Sequence, residues 1–267
     1  MRTFKDIIDD YKDNNEIEGE LLPFCHTTKY HILFKYIITD DNNLIAQSGC
    51  DYHNDEKLIF LFYGKSSYFP PSDQVDKYDK DPPVTLLYED LHEKENLKRL
   101  CCFDSGAYLN GRFNFENPNA PEPVKMLQNF IVENPEKEDI IAGVKALYRN
   151  NENYLRSEFT PYYDVEKKQF CLCLTTINDI HQNKNESYTE YGPQAFTFEV
   201  QVEDQITSKP NVIFLPESKA RDEETILGWS EYFPGTEIVT YKHDQFTHIH
   251  TAYHFMRDKV INYKNRR

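Results

Sequence analysis

The chain has 267 residues, 30 basic and 45 acidic, for a formal net charge of −15. Its 19 Tyr and 18 Phe exclude a disordered chain, which lacks aromatic side chains, and the length is ample for a real core. No run approaches the roughly 18 apolar residues of a membrane span, and so acidic a surface disfavours nonspecific binding to phosphate backbones.

The opening MRTFKDIIDDYKDNN is charged throughout and has no apolar signal core, so a cytoplasmic protein with no membrane partner is expected. Six cysteines, Cys25, Cys50, Cys101, Cys102, Cys171 and Cys173, sit among apolar neighbours. Without a secretion signal or a C-x-x-C pair they are expected to be reduced core thiols, with no zinc site.

Residues 1–20 predict an acidic, partly helical lead-in, and LLPFCHTT (21–28) a buried strand with His26 at its end. Tyr30, Leu33, Phe34, Ile37 and Ile38 fall near helical spacing over 28–38. DDNN (40–43) predicts a turn and NLIAQSG (43–49) a short strand. KLIFLFYG (57–64) is the strongest strand signal, apolar enough for burial on both faces. VTLLYED (84–90) and LKRLCCFD (97–104) read as strands, and 105–123 as a loop broken by Gly and Pro. VKMLQNFIVEN (124–134) and EDIIAGVKALYRNNENYL (138–155) predict helices, QFCLCLTT (169–176) a strand, and 178–194 an exposed polar run. AFTFEVQV (195–202) alternates, with Phe196, Phe198, Val200 and Val202 on one face and Thr197, Glu199 and Gln201 on the other. Strands at 211–216 and 237–242 and helices at 221–233 and 245–263 complete the chain. The expected architecture is a single α+β domain over 1–267 with a helical insertion near 124–165.

Three stretches carry candidate chemistry. His26 is followed by Thr27 and Thr28; it is either a hydrogen-bonded structural histidine or a cleft residue. YGKSSYF (63–69) follows the strongest strand. There Gly64 permits a turn, Ser66 and Ser67 supply hydroxyls, and Tyr63 and Tyr68 supply aromatic faces that can clamp a flat heteroaromatic ring. Glu199, beside Gln201 on the polar face of its strand, is either solvated or held for use.

Together these stretches resemble the ADP-ribosyltransferase superfamily, in particular its diphtheria-toxin and poly(ADP-ribose)-polymerase-like branch. That branch has a His before a small hydroxyl residue on an early strand, then a K-S-x-x-Y-like segment after a strand, then a Glu on a later strand. CHTT, LFYGKSSYF and FTFEVQ keep that order, and the interval from Tyr68 to Glu199 requires an insertion. The resemblance implies a split mixed β-sheet core of ADP-ribosyltransferase type. It implies NAD+ as substrate, with catalytic residues His26, Tyr63 and Glu199 and with Thr27, Ser66, Ser67 and Tyr68 binding the dinucleotide. Glu199 would accept a bond from the ribose 2′-OH and stabilise the oxocarbenium-like transition state; Glu203 is the alternative acid. It further implies a macromolecular acceptor, protein or nucleic acid. Many small bacterial members of the branch act as toxins or phage-defence effectors, which adds a cognate inhibitor to the implied partners.

Outside that match, FDSGAYLNGRF (103–113) stands out: Asp104, Ser105 and Gly106 suit a tight turn, and Arg112 suits a pyrophosphate. His243, His248, His250 and His254 cluster late, with His250 and His254 at helical spacing but without H-E-x-x-H; a packed or solvated helix face is expected. Cys25 and His26 point to opposite strand faces and form no nucleophile–base pair. No P-loop, G-x-S-x-G or G-x-G-x-x-G occurs. The competing functions are a noncatalytic acidic interaction protein and a nucleic-acid-acting enzyme.

Overall fold

A computed structural model describes residues 2–30, 33, 39, 41–46, 49–50, 56–66, 83–106, 127–156, 197–220, 223–242, 256 and 258–263. In chain order its elements are α1 (Phe4–Asn14), β1 (Phe24–Lys29), β2 (Leu44–Ile45), β3 (Gly49–Cys50), β4 (Glu56–Tyr63), β5 (Pro83–Tyr88), α2 (Leu91–Lys94), β6 (Leu97–Cys101), β7 (Ile131–Glu133), α3 (Lys137–Tyr148), α4 (Asn151–Leu155), β8 (Glu199–Glu203), β9 (Gln205–Ile206), β10 (Val212–Pro216), α5 (Glu223–Tyr232) and β11 (Glu237–Tyr241). The chain is α+β, with mostly antiparallel strands and β10 parallel to β11. Among the described residues no helix is long and apolar enough to cross a membrane. Two compact units form, one joining 1–22 to 97–201, the other joining 23–96 to 202–267.

In the first unit, α1 begins at a capping box: the Thr3 hydroxyl accepts the Asp6 N–H at 3.2 Å, and the Asp6 carboxylate accepts the Thr3 N–H at 2.8 Å. Helix α1 buries Phe4, Ile7 and Ile8. Helix α3 has its own box, Glu136 with Asp139, and Lys12 of α1 pairs with Asp139 at 3.0 Å. Gly143 lets the two helices close: a Cβ there would lie 2.9 Å from Phe4 Cζ and 3.2 Å from Phe198 Cε2. Phe198 is an aromatic hub, its ring 5.5 Å from Phe4, 5.3 Å from Tyr154 and 6.1 Å from Tyr148.

Two helical predictions are corrected here. The segment 138–155 is two helices, because Arg149 takes a left-handed φ of 72° and Asn150 caps α4, accepting the Asn153 N–H at 2.8 Å. In the segment 124–134 the helix does not run on past Leu127: a 3-10 turn at Gln128–Phe130 leads into β7. Apolar spacing favoured a helix, but pairing won. β7 lies antiparallel to β6 with Arg99 opposite Glu133 and Cys101 opposite Ile131; the Cys102 N–H donates to Phe130 O and the Asn134 N–H to Lys98 O.

In the second unit the strand order is β11-β10-β5-β1-β4, with β3 also on β4. β5 runs antiparallel along all of β1, from Phe24–Tyr88 to Lys29–Pro83. β4 pairs with β1 only at Phe24–Tyr63 and Cys25–Phe62, so from His26 onward the two strands part. Gly64 ends β4 with φ 68°, and its N–H donates to Pro23 O at 2.7 Å, the turn expected of that glycine. Cys25, Leu87, Val212, Phe214, Tyr241, Met256 and Val260 form a core cluster. The short pair β2–β9 stands apart.

Candidate functional site

The strand signal at AFTFEVQV holds, but its polar face is not solvated. Glu199 is 1% exposed, and Gln201 and Thr197 are fully buried. Both faces of β8 are buried from Glu199 to Val202, so the polar side chains must be satisfied inside the protein. Glu199 meets three donors. Its Oε2 accepts the Ser105 backbone N–H at 3.1 Å; its Oε1 accepts the Ser105 hydroxyl at 2.5 Å and the Gln201 side-chain amide at 2.7 Å. Gln201 Oε1 faces Arg99 Nη1 at 3.4 Å, and Arg99 Nε donates to Glu133 Oε1 at 2.8 Å. Thr197 Oγ1 has no hydrogen-bond partner among the described residues.

Burial raises the Glu199 carboxyl from its usual 4.5 to about 8, and the nearby Asp104 charge raises it further within that total. The bonds from Ser105 and Gln201 act in the opposite sense. Glu203, at the far end of β8, is exposed. Ser105 and Gly106, predicted as part of a tight turn, are helical instead, and Ser105 meets the strand-borne acid 94 residues away. Arg99 was missed. Its only sequence signal was a charge in the middle of LKRLCC, where a buried cation needs a partner.

In the second unit, His26 is the third residue of the six in β1, not its last. It stands instead where β4 leaves β1. Its Nδ1 lies 3.0 Å from Phe60 O; a carbonyl only accepts, so Nδ1 carries the proton. Burial lowers the imidazole pKa, partly opposed by that bond, so near neutral pH Nε2 is a bare acceptor. Nε2 is buried and has no partner among the described residues. The structural alternative for His26 accounts for one ring nitrogen only.

Thr27 points to the opposite face of β1 from His26. Its hydroxyl bonds Ser66 Oγ at 2.6 Å and Thr85 Oγ1 at 2.8 Å, a buried trio. Tyr63 ends β4 with its ring fully buried, 5.7 Å from Phe24. Ser67, Tyr68, Arg112 and the late histidines His243, His248, His250 and His254 lie outside the described residues. Cys25, Cys101 and Cys102 are free and buried, as expected. No family model and no curated protein matches this chain.

Proposed function

We propose that this chain is an NAD+-dependent ADP-ribosyltransferase that modifies a macromolecular acceptor, built on a split mixed sheet of that superfamily's type. The observation that carries this reading is the Glu199 carboxyl: borne on a strand, withdrawn from water and met by three donors. A carboxyl titrating at about 8 ionises readily when a cation comes near. NAD+ is such a partner. Its nicotinamide ring is positive, and as the glycosidic bond breaks the charge passes to the anomeric carbon. Glu199 has about four lone-pair positions, and the one left on Oε2 is assigned to the ribose 2′-OH.

Within the second unit, the neutral tautomer of His26 is set by Phe60 O, and Nε2 is a buried acceptor without a partner among the described residues. Departure of nicotinamide leaves ADP-ribose to be captured by an acceptor nucleophile, with loss of its proton.

The test is nicotinamide release from NAD+ by the full chain, with candidate protein and nucleic-acid acceptors, compared with Glu199→Gln. One group stabilising the developing charge is worth about 3–4 kcal/mol, so the substitution is expected to slow release about 10²–10³-fold. Release undiminished in Glu199→Gln moves the acid elsewhere. No release by the unaltered chain, with no NAD+-induced thermal shift, favours the noncatalytic interaction protein.

A further inference from the structure

We propose that Ser105 is the positioning residue of Glu199, gripping both carboxyl oxygens from one side while Gln201, aligned by Arg99, grips from the other. This deepens the transferase function and rests on it for its catalytic meaning. Ser105 gives its backbone N–H to Oε2 and its hydroxyl to Oε1. Two donors from one residue on two oxygens fix the plane of the carboxyl; a single bond leaves it free to turn.

The opposite side is equally determined. Gln201, two residues along the same strand face, donates its amide to Oε1 and turns its own oxygen toward Arg99. The reversed amide would set oxygen against carboxylate and NH2 against guanidinium, so the Arg99 charge selects the orientation that serves Glu199. Arg99 is itself held by Glu133, its cross-strand register partner.

The groups that face Glu199 among the described residues are of two kinds. Asp104 repels its charge and the Cys101 thiol lies close enough to feel it. Ser105 and Gln201 donate to it, and Arg99 acts through Gln201. Taking away the Ser105 hydroxyl removes a donor to the charged form and leaves the backbone donor. A bond to a charged group of that kind corresponds to about one pH unit or more in the titration.

The test uses the full chain labelled with carboxyl-13C glutamate, with the Glu199 signal assigned by its loss in Glu199→Gln. Ser105→Ala is expected to move the Glu199 midpoint upward by about one pH unit, and Ser105→Thr, which keeps the hydroxyl, to restore it. In nicotinamide release the acid limb of the kcat profile moves by the same amount while KM for NAD+ stays put. Should Ser105→Ala fail to fold, Gln201→Leu withdraws the opposing donor and is expected to move the midpoint in the same direction. A midpoint unmoved in the variant that folds, or one moved as far in Ser105→Thr as in Ser105→Ala, overturns the positioning role. A midpoint that moves as expected in a chain that never releases nicotinamide upholds the grip on Glu199 and overturns the transferase function instead.

Discussion

Replacing Glu199 with Gln should change how the stability of the protein depends on pH. In the unfolded chain this carboxyl titrates near its ordinary 4.5; in the folded chain it titrates at about 8. The folded state thus binds the proton more tightly. Its contribution to stability is complete below the unfolded value and is lost as pH rises through the folded one. Over that interval the loss runs at about 1.4 kcal/mol per pH unit, and the whole of it comes to about 5 kcal/mol. Glu199→Gln has nothing to titrate, so the difference in unfolding free energy between the two proteins should carry this slope, while every other titrating group cancels. The offset has a different origin. With the amide oxygen in the Oε1 place, accepting from Ser105 Oγ and Gln201, the new NH2 faces the Ser105 backbone N–H and cannot accept it, so the variant starts less stable at low pH and gains on the natural chain as pH rises. Urea unfolding of both proteins at intervals from about pH 5 to pH 8, within the window set by the two titration points, measures the difference. A difference that stays flat across this window would falsify the buried, proton-holding carboxyl and with it the basis of the proposed function.

Gly143→Ala should destabilise the first unit by about 1–3 kcal/mol, because the added Cβ meets the rigid rings of Phe4 and Phe198; this exceeds the helix-propensity gain of about 1 kcal/mol. A urea midpoint equal to or above that of the natural chain refutes the close approach of α1 to α3. Cys25, Cys101 and Cys102 are buried with their thiol pKa values raised by burial, so iodoacetamide should leave all three unmodified in the native protein and alkylate them after denaturation; mass mapping that finds any of the three modified natively contradicts this. His26 titrates below its ordinary 6.5, so the neutral ring is favoured by folding and stability falls as pH drops below the unfolded value. His26→Gln should flatten that acid-side loss, and an unchanged slope between the two proteins rejects the buried neutral ring.

Much of the strand framework was legible in the sequence because the apolar runs are short and bounded. KLIFLFYG became β4, VTLLYED became β5, and NVIFLP and EIVTYK became β10 and β11. Segment 124–134 was misread because Leu127, Phe130 and Ile131 satisfy helical spacing while β7 is defined by its neighbour: backbone bonds to Lys98 and from Cys102 are not encoded within the segment itself. The break at Arg149 was equally hidden. No Gly or Pro marks it, and only the Asn150 cap hints that a new helix begins there.

The site shows the same division between local and distant information. Alternation in AFTFEVQV says which residues share a face, and it says so correctly for Glu199 and Gln201. It cannot say whether that face meets water, because burial is decided by what lies against the strand. A polar face that turns inward must find donors, and the donors lie in segments with their own local readings: Ser105 in a turn, Arg99 in a strand. Each was explicable alone as a surface residue. Ser105 with Gln201, which Arg99 orients, fills three of the about four lone-pair positions of the Glu199 carboxylate. Of two acids on one strand, the exposed Glu203 can be solvated anywhere on a protein surface, whereas Glu199 can exist only where Ser105 and Gln201 are already in place. Substituting those two should therefore disturb Glu199, and a Glu199 carboxyl titration unmoved by both substitutions refutes a built site.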